Sequence, residues 1–212
     1  MPEFASAGVR IHYEVFGEGK PIVLVHGFAA NLRANWVATG WIDVLSPLRQ
    51  VIALDCRGHG ESDKPRDPAA YAAHGMTDDV VRLMDHLGIA TADIFGYSMG
   101  AGIALRAIVR HPERFTSAVL GGIGFVQPRG GRRPGVAEAL LAPVGHAQLE
   151  AIRVPVLIVN GARDALAGSA REMASAIAGA RLVELPGKDH LTAVADEQFK
   201  QTVLDFLCEL TS

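Results

Sequence analysis

Only two cysteines, Cys56 and Cys208, occur in 212 residues. They stand far apart, without metal-type spacing, so a disulfide scaffold is not expected and both read as small packing residues. Neither sign of charge dominates: 20 Lys and Arg face 23 Asp and Glu, a formal net charge of -3. So near neutrality, the chain carries no electrostatic footprint for nucleic acid or a membrane surface as partner. No apolar run reaches the roughly 20 residues a membrane-spanning helix needs. Residues 1–10 hold no basic segment followed by an apolar run, so no signal peptide is expected and a cytoplasmic location is the default. Internal repeats are absent, and the one break in composition is the Gly-, Pro- and Arg-rich stretch 126–135.

What is present suits one globular domain over residues 1–212: 49% apolar and 20% charged residues, with enough length for a large core. Val9–Phe16 alternates apolar with polar residues, the two-residue period of a half-covered strand. Pro21–Val25 and Val51–Leu54 are continuous apolar runs, which suit strands covered on both faces. Further strands are expected at Asp93–Phe95, Thr116–Leu120, Pro155–Asn160 and Arg181–Leu185. Between them, helical spacing predicts helices over Trp36–Leu48, Thr77–Leu87 with Thr77 as cap, the segment after Ser98 up to Pro112, part of Val136–Ile152, Ser169–Ile177 and Ala195–Leu210. Strands alternating with helices predict an α/β fold, a mostly parallel sheet with helices on both faces. In such sheets the loops leaving the carboxyl ends of strands build the site.

The chain is organised around 92–111. An apolar strand ends at Phe95, Gly96-Tyr97-Ser98-Met99-Gly100 follows, and then a helical apolar pattern begins. A Gly-x-Ser-x-Gly match is common by chance, but strand, sharp turn and helix around it give the serine a mechanical meaning. So tight a turn forces Ser98 into an unfavourable backbone conformation, and Gly96 and Gly100 let strand and helix approach closely. The hydroxyl is then presented at the sheet edge, where the N–H groups of the next helix welcome negative charge.

A serine hydroxyl needs a base, usually a histidine oriented by a carboxylate. Of eight histidines, His190 lies in the loop after the last strand, and Asp164 follows the strand before it. The order Ser98, Asp164, His190 is the nucleophile, acid, base order of one particular fold. Asp189 competes as the acid, but residues adjacent in sequence rarely face one another across a hydrogen bond. An oxyanion needs aimed donors. The N–H of Met99 is one, and the N–H of Phe28, after the strand at 21–25, is assigned as the other. Gly27 is expected to allow the sharp turn there, and His26 to be a structural hydrogen-bonding group.

His26-Gly27-Phe28, the Asp-x-Arg-Gly-x-Gly-x-Ser loop Asp55–Ser62, Gly96–Gly100, Gly161–Asp164 and Gly187–His190 occur in order over almost the whole chain. Together they resemble the α/β-hydrolase superfamily. The resemblance implies an eight-stranded, mostly parallel sheet and hydrolysis of a small-molecule substrate through an acyl-serine, with neither metal nor organic cofactor. It implies a structural role for Asp55, Arg57, His59 and Ser62. Serine in the elbow disfavours the dehalogenase and epoxide hydrolase branches, which use aspartate. Many relatives insert a helical cap of several dozen residues where this chain has only 125–154, so little or no cap and an open cleft are expected. Arg129, Arg132 and Arg133 within that interval read as a solvated loop. The expected activity is hydrolysis of carboxylic esters. Cleavage of a diketone carbon–carbon bond, a lactone or a thioester, perhydrolysis, or non-catalytic binding of a small molecule are the alternatives. Oligomeric state is not legible.

Overall fold

The structure, a computed structural model, describes residues 2–71, 75–125 and 144–210. The basic stretch 126–135 with its three arginines, residues 136–143 of the segment Val136–Ile152 expected to be partly helical, and most of the interval 125–154 lie outside the described residues.

Eight strands form one sheet: β1 (Glu3–Ser6), β2 (Val9–Phe16), β3 (Pro21–Val25), β4 (Gln50–Leu54), β5 (Ala92–Tyr97), β6 (Phe115–Gly121), β7 (Val156–Gly161) and β8 (Arg181–Leu185). Their spatial order is β1-β2-β4-β3-β5-β6-β7-β8. β1 runs antiparallel to β2 and β2 to β4, and the pairings from β4 through to β8 are parallel. The helices are α1 (Trp41–Leu45), α2 (Gly75–His86), α3 (Met99–Arg110), α4 (His146–Glu150), α5 (Ala170–Ala176) and α6 (Glu197–Glu209).

The apolar runs divide by parity, because successive side chains of a strand point to opposite faces. Val23, Val25, Ile52, Leu54, Ala118, Leu120 and Ile158 join α2, α3 and α5 in one core. Ile22, Leu24, Val51, Ala53, Val119, Leu157 and Val159 join α1 and α6 in the other. Each strand is thus covered on both sides, which is why these segments read as continuous apolar runs rather than as alternation.

Three expectations need correction. The helix expected over Trp36–Leu48 is broken into a π-helical turn at Arg33–Val37 and the short α1, with Gly40 left-handed between them at φ +79°. The tryptophans explain the break. On one regular helix, residues 36 and 41 would point about 140° apart, yet both are fully buried in one aromatic cluster. Trp36 packs on Phe95 at 4.8 Å and Trp41 on Phe95 at 4.7 Å and Phe199 at 5.1 Å. The buried Trp41 indole N–H donates to the carbonyl of Val194 at 2.7 Å.

Thr77 does not cap α2, which begins at Gly75 and buries both Met76 and Thr77. Apolar contact of Met76 with the core extends the packed face back past the polar signal. The third correction is β1, which has no signal beyond Phe4. Its other inward residue is Ser6, whose hydroxyl donates to the buried carboxylate of Asp79. The Arg57 guanidinium also grips that carboxylate, at 2.7 and 2.5 Å. A polar residue facing a core is tolerable only with such partners.

Candidate active site

The site stands at the carboxyl edge, where β3, β5, β7 and β8 release their loops. Ser98 joins β5 to α3 with φ 54° and ψ -114°, a strained conformation for a residue with a side chain. The contacts that hold it are steric. A Cβ on Gly96 would lie 2.2 Å from the carbonyl oxygen of Gly100, and one on Gly100 would lie 1.9 Å from that of Val25. The Ser98 N–H is tied to the carbonyl of Gly121 at 2.8 Å, and its own carbonyl accepts from Gly102 at 3.1 Å.

Folding brings Ser98, Asp164 and His190 into one line. Ser98 Oγ lies 2.8 Å from His190 Nε2, and His190 Nδ1 lies 2.7 Å from Asp164 Oδ2. A carboxylate can only accept, so Nδ1 carries the proton and Nε2 accepts from the hydroxyl. The other carboxylate oxygen, Oδ1, is held by the N–H groups of Leu166 and Ala167 at 2.9 and 3.0 Å, and the Asp164 side chain is buried. The acid loop and the base loop are pressed together. The Arg163 N–H donates to the carbonyl of Lys188 at 2.9 Å, and a Cβ on Gly161 would sit 2.4 Å from that same oxygen.

Asp189 does not compete for the imidazole. Its Oδ1 accepts from the N–H groups of Leu191 and Thr192 and from the Thr192 hydroxyl, at 3.0, 2.9 and 2.8 Å. These bonds, that from the Thr192 backbone foremost, hold its carboxyl below the usual carboxylate range. Asp189 therefore shapes the turn that carries His190.

Phe28 lies three residues past the end of β3 and Met99 directly follows Ser98, and among the described residues neither N–H is taken by a hydrogen bond. The sharp turn expected at Gly27 is made with Ala29 as the left-handed residue, at φ +57°, while Gly27 itself is not left-handed. Gly27 instead gives its N–H to Asn35 Oδ1 at 2.9 Å, and its missing side chain leaves room beside Ser98 Cβ. Asp55 fixes the far end of this loop by accepting from the Leu32 N–H at 2.8 Å, while Ser62 donates to the Asp55 carbonyl at 2.6 Å. The side chains of Phe28, Leu166 and Leu191 are exposed beside these groups, so the edge carries an apolar rim.

His26 is fully buried, and among the described residues its ring bonds to Gly27 and Cys56 and not to Ser98, His190 or Asp164. Its Nε2 accepts from the Cys56 N–H at 3.0 Å, so Nδ1 bears the proton and donates to the carbonyl of Gly27 at 2.8 Å. Burial pushes its pKa down to about 4 from 6.5. Between those pH values the unfolded chain binds a proton that the folded chain refuses. Stability is therefore whole above pH 6.5 and should fall by about 3 kcal/mol as pH drops to 4. Urea unfolding between pH 7 and 4 measures this, and His26→Asn should lower stability at pH 7 while flattening the slope.

Among the described residues no group of three or more His, Cys, Asp or Glu could hold a metal ion, and no helix is long and apolar enough to cross a membrane. The family profile for the alpha/beta hydrolase fold matches residues 20–140, more than half of the chain. The chain belongs to the α/β-hydrolase family.

Within that family, it is 38% identical over 122 residues to the 2-hydroxymuconate semialdehyde hydrolase of Pseudomonas sp. strain CF600. That match covers 57% of this chain and 42% of that protein, so the chain spans less than half the length of that curated relative. Solved structures agree over nearly full length. A hydrolase from Pseudomonas aeruginosa PA01 superposes with TM-score 0.84 at 25% identity, covering 97% of each chain. The enol-lactonase of Burkholderia xenovorans LB400 superposes with TM-score 0.82 at 28% identity, covering 98% of this chain and all of that one.

Two residues of this α/β-hydrolase site escaped sequence reading. Asn35 sits in a helical turn and carries no motif, yet it holds the Phe28 loop through Gly27. Tyr97 occupies a variable position of the elbow, yet its hydroxyl donates to the carbonyl of His190 at 2.6 Å. The only trace of the second was the pair Gly121-Gly122 at the end of β6, whose role is spatial.

Proposed function

We propose that the protein is a serine hydrolase that cleaves carboxylic esters of small, loosely selected substrates through an acyl-serine intermediate. The observation that carries the reading is the unbroken hydrogen-bonded line from Ser98 Oγ through His190 to Asp164, on a strained elbow. In acylation, His190 Nε2 takes the Ser98 proton as Oγ bonds to the ester carbonyl carbon. Asp164 holds the tautomer and stabilises the imidazolium. The N–H groups of Phe28 and Met99 are the proposed donors to the oxyanion. His190 then protonates the leaving alcohol as its bond to carbon breaks. A water, losing its proton to His190, attacks the acyl carbon; the bond from that carbon to Ser98 Oγ breaks, His190 returns the proton to Oγ, and the acid is freed. Phe28, Leu166 and Leu191 offer apolar surface without specific polar contacts, which supports loose selection.

A fluorophosphonate probe tests this without knowing the substrate. We expect one adduct, located at Ser98 by mass spectrometry, and none in His190→Ala. Labelling elsewhere, or equal labelling of the variant, would sink the assignment.

A second reading keeps the three residues and changes the bond. It is favoured by the likeness to a 2-hydroxymuconate semialdehyde hydrolase and to an enol-lactonase. A panel of an ester, a lactone, a thioester and a ring-fission diketone separates these readings. A non-catalytic binder would hold a ligand without forming any acyl-serine.

A further inference from the structure

Tyr97 is the last residue of β5, next to the nucleophile, and its side chain turns to the opposite side of the sheet from the α3 core. Its ring is buried with Phe199 at 6.4 Å and tilts against the His190 ring at 5.6 Å. The space it fills exists because β6 ends in Gly121 and Gly122 follows it. A Cβ on Gly121 would fall 2.7 Å from Tyr97 Cδ2, and one on Gly122 would fall 3.1 Å from His190 Cε1 and 3.2 Å from Tyr97 Cζ. Burial, with the nearby carboxylates of Asp164 and Asp189, pushes the phenol up, so it remains a donor at neutral pH.

We propose that Tyr97 is a positioning residue that holds His190 in place during deacylation, by donating its hydroxyl to the main-chain carbonyl of His190. The proposal rests on the acyl-serine reading. In the free enzyme the imidazole is held at both nitrogens, by the Ser98 hydroxyl and by Asp164. Once Ser98 is acylated, Oγ has no proton to donate and the first bond is gone. His190 must then stay aimed at a water with Asp164 and its own backbone alone. The bond from Tyr97 anchors that backbone at the residue that does the chemistry. The other ties of the loop act at its neighbours, through Asp189 to Leu191 and Thr192 and through Lys188 to Arg163.

Tyr97→Phe removes the hydroxyl and keeps the packed ring. Loss of one hydrogen bond from a buried site corresponds to about tenfold in rate. The test uses p-nitrophenyl acetate for kcat/KM, which reports acylation. It uses p-nitrophenyl dimethylcarbamate for decay of the carbamoyl-serine, which is slow enough to follow by intact mass. In carbamoylation the Ser98 Oγ–carbon bond forms and p-nitrophenol leaves with the proton. In decay, water replaces Oγ on that carbon. Both rates are expressed per Ser98 titratable with fluorophosphonate, so a partly unfolded variant is still measured on its folded fraction.

The expected result is decay slowed about tenfold, with kcat/KM within about twofold of wild type and Tyr97→His not restoring the rate. Equal falls in both rates, or no change in either, overturns the positioning role. Absence of any Ser98 adduct in the wild type would instead overturn the acyl-serine reading itself.

Discussion

Ser98→Ala is expected to lower kcat for p-nitrophenyl acetate by about 10⁵-fold while the protein stays folded. The residual rate would come from whatever substrate binding and N–H donors remain. Stability is expected to change little. The hydroxyl makes one described bond, to His190 Nε2, and alanine keeps the same Cβ in the same strained backbone. Asp164→Asn should cost nearly as much, about 10⁴-fold, for a different reason. With its carbonyl oxygen held by the N–H groups of Leu166 and Ala167, the amide would place its NH2 where Oδ2 stood and force Nδ1 of His190 to accept, which moves the ring proton to Nε2. That nitrogen then cannot take the Ser98 proton. Both values come from initial-rate assays on protein whose melting transition is intact. Unchanged hydrolysis in the serine variant would show that another group does the chemistry.

The second large effect is on stability. Gly100→Ala is expected to destabilise the fold by about 3 kcal/mol or more, and at the upper end to prevent accumulation of folded protein. Two opposed terms meet at this residue. Alanine is the better helix former by about 1 kcal/mol, and Gly100 lies in the first turn of α3. Against that gain, the added Cβ would lie 1.9 Å from the carbonyl oxygen of Val25 and 2.7 Å from that of His26. Both obstacles are backbone, and they belong to β3 and the Phe28 loop, so relief requires α3 to move away from the sheet. The clash wins. Gly27→Ala is the contrasting substitution. Its Cβ would meet its nearest neighbours at 3.5 Å, an ordinary contact, and its φ is not left-handed. It should unfold within about 1 kcal/mol of wild type in urea. If Gly100→Ala melts like wild type, the tight strand-to-helix approach is not what holds Ser98 in its conformation.

The elements that the sequence misplaced share a cause. The segment 36–48 has a helical apolar pattern, but two indoles five residues apart had to reach one cluster with Phe95 and Phe199. That demand, which arises only between elements, broke the helix at Gly40. α2 begins earlier than its polar residue suggested because Met76 packs on the core. β1 is too short for a periodic signal, and half of its inward face is a serine whose partner, Asp79, lies 73 residues away.

Local chemistry was enough for the strands other than β1 and for the elbow, because a segment buried on both faces must be apolar throughout and a strand-to-helix elbow cannot close without residues lacking Cβ. It was enough, too, to single out a hydroxyl, an imidazole and a carboxylate, since the loops that bear them interrupt apolar patterning at one edge of the sheet. What needed the third dimension was every relation fixed by reach across space. The distances of 2.8 and 2.7 Å along the serine–histidine–aspartate line, the anchoring of His190 by Tyr97, and the holding of the Phe28 loop by Asn35 all belong to that class. Hydrogen bonds decide by fractions of an ångström and by direction, and chain spacing constrains neither when 92 residues separate donor from acceptor.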